Sequence, residues 1–239
     1  MNAGSGKPSF RVHCPAHIHT AFDQEEEAPS PFGGPSTRYI DELADQLASW
    51  RDLLPFNIRW SDDDRFAEPI LQQNRERPQQ PLFSITPSCV SDTTSIHLSM
   101  VVAQLRTRYY YTKFIIYRSF VYKALHLPEM MTDKDRQGAT KCLQAAMLWP
   151  ISMYPCCERK RLTPVLFAWT QNFLGVLIVL RMIQDSPALR DIAMRNIDEN
   201  EYNQTVRLLL HWMTDIKLID GIADWGWRIL RHLYPSVDV

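Results

Sequence analysis

The stretch LSMVVAQLRTRYYYTKFIIYRSFVYKALH, residues 98–126, decides the fold class. Neither glycine nor proline occurs between Pro87 and Pro128, so nothing divides it into strand-length pieces. Leu98, Val101, Val102, Leu105, Tyr109, Ile116, Phe120 and Leu127 fall on one broad face of a 3.6-residue helix. Tyr109 to Tyr122 is rich in the aromatic and β-branched residues that favour strands, but strict alternation fails. The reading is one long helix.

Helical signals continue on both sides of it. Downstream, Thr132 or Asp133 can cap a helix carrying Leu143, Ala146 and Met147, which is expected to break or bend at Pro150. Thr163 as N-cap and Pro164 as first helical residue open a nearly all-apolar helix that reaches Met182, and Ser186-Pro187 repeats the device. Val206, Leu209, Leu210 and Met213 form an i, i+3, i+4, i+7 stripe, and Ile222, Trp225, Ile229 and Leu233 form another beyond Gly221. Upstream, Ser36 or Thr37 can cap a helix whose apolar residues are Tyr39, Leu43, Leu47, Trp50 and Leu54, ended by Pro55.

Residues 1–35 hold Gly, Pro, Ser and the acidic run Glu25 to Glu27 without apolar periodicity, the composition of a disordered tail. Residues at about 61–90 contain Asp62-Asp63-Asp64, four prolines and a Gln-rich middle, which reads as an extended connector. The expected architecture is all-α: a compact multi-helix domain over residues 36–239 behind a disordered N-terminal tail. No internal repeat is detectable.

With 239 residues, 45% of them hydrophobic and 11% aromatic, the chain can bury a sizeable core. Its 26 basic and 27 acidic residues balance to a net charge of -1, which lacks the electrostatic footprint of a dedicated nucleic-acid binder. Five cysteines without framework spacing, and an N-terminus without a secretory signal, fit a reducing, intracellular compartment. The longest uninterrupted apolar run of the helix before Met182 is Phe173 to Leu180, whereas a membrane span needs about 20 predominantly apolar residues. A buried core helix is the better reading, and no membrane partner is expected.

Several clusters invite chemistry and read more simply as structure. Arg106, Arg108, Lys113, Arg118 and Lys123 interleave with aromatics, but at about 100° per residue they surround the helix instead of forming a stripe. Long basic side chains reaching solvent past buried stems explain them. His13, Cys14, His17 and His19 are ligand types that zinc prefers, yet they lie in the tail without a second ligand pair at finger spacing. Cys156 and Cys157 are adjacent, unlike the spaced pairs of zinc and redox sites, and three consecutive aspartates without a glycine turn do not make a calcium loop. There is no phosphate-binding glycine loop, G-x-S-x-G or HExxH, so nothing local signals an enzyme.

Gln171 and Asn172 interrupt the most apolar helix beside Trp169, and if buried they need hydrogen-bond partners. Polar groups converging in an apolar core can line an effector site; the plainer alternative is that they face solvent or tie neighbouring helices together. Trp225 and Trp227, two apart on a helix, cannot both face one way. One is expected to pack inward and the other toward a surface or partner. The candidate effector or partner contacts are therefore Trp169, Gln171, Asn172, Trp225 and Trp227.

The phrases LRTRYYYTKFIIYRSFVYKALH (105–126), RLTPVLFAWTQNFLGVLIVLRM (161–182) and DGIADWGWRIL (220–230) resemble the middle regulatory region of fungal transcription factors with a binuclear zinc-cluster DNA-binding module. LLPFNIRWSDDD also resembles the phrase after that region's first helix, while Ser119 stands where the family often has proline. The resemblance implies an all-helical, nuclear, non-enzymatic domain that regulates transcription through effector or protein contacts. The implied partners are transcription machinery or co-regulators and a small-molecule effector, and a homodimer is compatible. DNA contact and zinc belong to the family's six-cysteine module, which this sequence does not contain. The chain is accordingly expected to be a fragment, a truncated gene product or a relative lacking that head. A stand-alone helical co-regulator or scaffold is the alternative.

Overall fold

The computed structural model describes residues 34–62, 94–158 and 166–235, with side chains over 34–62, 101–152 and 169–235. The described residues form seven α-helices and no strand: α1 (Thr37–Asp52), α2 (Thr94–His126), α3 (Asp133–Glu158), α4 (Leu166–Asp185), α5 (Pro187–Asn196), α6 (Glu199–Ile216) and α7 (Gly221–Leu233). The fold is all-α. All seven helices belong to one unit, Thr37–Val239. The expected tail, with His13, Cys14, His17 and His19, lies outside the described residues except at its Gly34–Pro35 end, and so does nearly all of the proline-rich connector.

A short 3-10 turn, Pro128–Met130, folds α3 back along α2. The pairs Lys123 with Asp135, Tyr117 with Lys141, Phe114 with Cys142 and Tyr111 with Trp149 run in opposite chain directions down the two helices, as an antiparallel hairpin requires. Its closed end is pinned by a capping box. Asp135 N–H donates to Thr132 Oγ1 at 3.2 Å, while Thr132 N–H and its hydroxyl donate to Asp135 Oδ2 at 2.7 and 2.8 Å. Lys123 Nζ adds a charged bond to the same oxygen at 2.6 Å.

Burial raises the Asp135 carboxyl pKa, but the bonds from Lys123 and Thr132 outweigh it and hold the group below its ordinary 3.8. A carboxylate that binds its proton less tightly when folded stabilises the fold above the unfolded value, and that stability is lost as pH falls through the lowered folded value. Asp135→Ala should therefore cost about 1–2 kcal/mol at pH 7. Urea titrations should show the gap to wild type narrowing as pH drops below 3.8.

Three features depart from the sequence reading. Of the break or bend expected at Pro150, the break does not occur, since α3 continues to Glu158. Ala146, Met147 and Trp149 are all buried, and their packing outweighs the roughly 3 kcal/mol that an interior proline costs. α2 buries a broader side than expected: Tyr109 and Phe120 of the predicted face are buried, Ala103, Arg106, Tyr110, Phe114, Tyr117, Val121 and Ala124 are buried with them, and Val101 is exposed while Leu105 and Ile116 are half-buried. Arg106 is only 3% exposed, so it does not reach solvent past a buried stem as expected. In α1, the buried position is Ile40, backed by Ala44 and Leu47, while Tyr39 and Trp50 stay exposed. Arg59 closes that helix by donating to the carbonyls of Asp52 and Leu54.

The second half of the domain is built around α4. Phe173, Val176, Leu177 and Leu180 are all fully buried, and α4 packs against α5, α6 and α7. Phe173 lies between Trp149 of α3 and Trp212 of α6, at ring-centroid distances of 5.4 and 5.5 Å, so one aromatic joint links both halves. The predicted stripe Val206, Leu209, Leu210 and Met213 is buried. Ser186 caps α5 through the Leu189 N–H, also as predicted. Two phenols tie α4 from outside: Tyr202 Oη donates to the Leu180 carbonyl at 2.9 Å and Tyr234 Oη to the Leu177 carbonyl at 2.6 Å. Burial pushes the Tyr202 hydroxyl up to about 12 and raises that of Tyr234 as well.

No helix among the described residues is long and apolar enough to cross a membrane.

Candidate functional site

Among the described residues, two gatherings of ionisable and aromatic side chains join helices at the surface. The first joins α1 to α2. Asp62 Oδ1 accepts from Arg51 Nη1 at 2.7 Å and from Tyr110 Oη at 2.6 Å. Beside it, the Tyr109 ring stacks on Trp50 at 6.5 Å, meets Trp60 edge-on at 5.6 Å, and lies under Arg51 and Lys113 at 5.0 and 5.8 Å. Burial raises the Tyr110 hydroxyl, helped by its bond to Asp62, and burial lowers the Lys113 ammonium. These charges satisfy one another across 48 residues of sequence. The arrangement works as a latch closing α1 on α2, with Asp62 exposed at its edge. Asp63 and Asp64 lie outside the described residues.

The second is the corner where α6 turns into α7, beside the start of α4. Asp220 is the N-cap of α7: its Oδ1 accepts from the Ile222 N–H at 3.1 Å and its Oδ2 from the buried Thr170 hydroxyl of α4 at 3.1 Å. The preceding turn is closed by Ile219 N–H and Asp220 N–H, both donating to the Ile216 carbonyl. Lys217 Nζ sits 4.4 Å above the Trp227 ring. A rigid turn therefore holds four apolar side chains outward: Leu218 is 71% exposed, Ile219 41%, Ile222 36% and Trp225 59%.

This overturns the expected inward stripe of Ile222, Trp225, Ile229 and Leu233. The buried side of α7 is Ala223, Gly226 and Leu230, with Ile229 and Leu233 half-buried. Small residues explain the rotation. A Cβ at Gly226 would stand 3.2 Å from Met213 Cε and 3.8 Å from a Leu174 methyl, so α7 closes on α4 and α6 through its smallest side chains. The large ones are left on the outside.

The five candidate contacts separate accordingly. Trp169 and Trp227 are half-buried and pack against the core. Gln171 is exposed and Asn172 half-buried, so Gln171 does not line a buried effector cavity. Trp225 is the tryptophan among them that is exposed. Leu218 and Ile219 escaped the sequence reading although their signal was present, since two adjacent apolar residues in an interhelical turn are unusual where loops are mostly polar. Thr170 and Asp220, which fix the corner, were missed because their contact spans 50 residues.

Among the described residues no group of three or more His, Cys, Asp or Glu could hold a metal ion. Cys142 is buried against the Phe114 carbonyl at 3.4 Å, and burial raises its thiol pKa, which suits packing more than reactivity. The side chains of Cys14, Cys89, Cys156 and Cys157 lie outside the described set. Compared with known protein families, curated proteins and solved structures, the chain matches none.

Proposed function

We propose that this chain is a helical regulatory module that acts through contacts made at the α6–α7 corner. The observation that carries the reading is the outward set Leu218, Ile219, Ile222 and Trp225, held on a turn whose polar groups are satisfied. Exposed apolar side chains gathered on one turn and the start of the helix after it mark an interaction surface more often than singly scattered ones do. Tryptophan at such a centre is the residue type most enriched among binding hot spots. Among the buried titratable groups, Asp135, Cys142, Tyr202 and Tyr234 each hold a cap, a helix pair or a backbone carbonyl, which favours a binding module over an enzyme.

The setting of those contacts comes from the resemblance of the three quoted phrases: transcriptional regulation in a fungal nucleus, with co-regulators, transcription machinery or a second copy of the chain as partners. On this reading zinc and DNA belong to a separate cluster module. The test is a fusion of the full chain to a heterologous DNA-binding domain, read by a reporter gene. The fusion should change reporter output relative to the DNA-binding domain alone, in either direction, and Trp225→Lys should remove most of that change at equal protein abundance. A fusion without effect, or a Trp225→Lys fusion indistinguishable from wild type, would refute the reading.

A further inference from the structure

The outward face of α7 has a self-complementary layout. At about 100° per residue, Trp225 occupies the middle of the exposed arc, with Ile222 about 60° to one side and Arg228 about 60° to the other. Asp224 lies on the Arg228 side, where the two side chains pair at 2.7 Å, one turn apart. The face thus has an apolar flank, a ridge of Trp225 with the exposed His232 two turns further on, and a charged flank whose two signs are symmetric about the level of Gly226.

We infer that the occupant of this face is a second copy of the chain, packed α7 against α7 in antiparallel orientation about a twofold axis at the level of Gly226. This deepens the proposed function by naming the partner of the corner, and it rests on that reading only for the choice of surface. The geometry selects the orientation. An antiparallel twofold pair brings like flanks together, so Ile222 meets the apolar flank of the other copy and the two Trp225 rings meet near the axis. Asp224 of each copy then stands opposite Arg228 of the other, and the two existing pairs merge into a ring of four alternating charges. A parallel pair would instead set the charged flank of one copy against Ile222 of the other, leaving charges on apolar surface. Leu218 and Ile219, on the turn before α7, are exposed as well.

The test uses the full chain in sedimentation velocity over a concentration series, with circular dichroism on every variant. Wild type should shift from monomer to dimer with increasing concentration. Trp225→Ala should raise the dissociation constant about tenfold or more. Asp224→Arg alone and Arg228→Asp alone should each be monomeric, because each brings like charges together across the axis, while remaining as helical as wild type. Mixed one to one, the two variants should form a heterodimer, since the two basic side chains of the first variant then face the two acidic side chains of the second. Rescue by mixing cannot arise from the pairing within one helix, so it reports the contact between copies. A wild type that stays monomeric throughout, single variants that dimerise like wild type, or a mixture that stays monomeric would each overturn the inference. If the chain is monomeric yet Trp225→Lys still blunts the reporter, the face binds a different protein, and this inference falls while the proposed function stands. If the dimer and its charge rescue are found but the reporter ignores Trp225→Lys, the reverse holds.

Discussion

Leu177→Asp abolishes soluble expression of the folded chain. Leu177 is fully buried in α4, with Phe173, Val176 and Leu180 equally inaccessible around it. Its backbone carbonyl is already occupied by the Tyr234 hydroxyl. A carboxylate placed there sits among buried apolar side chains while Arg181, one turn on, is engaged with Asp185 and Gln184, and whether it stays charged or takes up a proton the poorly paired polar group costs several kcal/mol. Losing the leucine's apolar burial removes about 2 kcal/mol more. Against a typical domain stability of about 5–15 kcal/mol, the sum is enough to unfold most of the population. Leu177→Ala is the milder companion, expected to fold but to lose about 3 kcal/mol in urea titration. Soluble yield and far-UV circular dichroism read the first variant. A Leu177→Asp protein with wild-type melting would show that α4 is not the centre of the core.

The second large effect is at Gly138, where α3 crosses α2. A Cβ built there would overlap the Phe120 ring, with its nearest contacts at the Cγ, Cδ2 and Cε2 atoms. The ring is buried and has little room to retreat. Gly138→Leu should therefore cost about 3 kcal/mol, because overpacking outweighs the roughly 1 kcal/mol gained in helix propensity. Gly175, inside α4, is the control: nothing lies within 4 Å of a Cβ added there. Gly175→Ala should raise stability by about 0.5–1 kcal/mol through propensity alone. Chemical denaturation of the two variants should move in opposite directions. Equal losses would mean that propensity and packing had been wrongly separated.

Local signals carried most of the helix positions. The glycine- and proline-free run became α2, Ser186-Pro187 opened α5, and the stripe from Val206 to Met213 went wholly into the core. The direction each helix faces was less legible. Periodicity weights large apolar residues, so it assigned Trp225 and Ile222 to the core. Close helix crossings instead select small residues, and Ala223, Gly226 and Gly138 sit at such contacts. The same bias left the buried Ala103 and Ala124 out of the predicted face of α2 and put the exposed Val101 into it, while Tyr109 and Phe120 were placed correctly. Pro150 illustrates a different limit: its cost is local and readable, whereas the burial that overrides it depends on distant partners. Of the candidate contacts, the split between Trp225 and Trp227 was legible from spacing alone, but which one faced outward was not. That choice depends on Lys217 covering Trp227 and on Asp220 meeting Thr170 from another helix.

The outward face of α7 carries both the proposed function and the inferred partner, and hydroxyl-radical footprinting with mass-spectrometric readout measures it directly. At concentrations dilute enough to keep the chain monomeric, Trp225 should be oxidised much faster than Trp227, and the buried Trp149 and Trp212 should be protected until the protein unfolds. Protection of Trp225 to the level of Trp212 under those conditions would contradict the rotation of α7 and leave the corner without its surface.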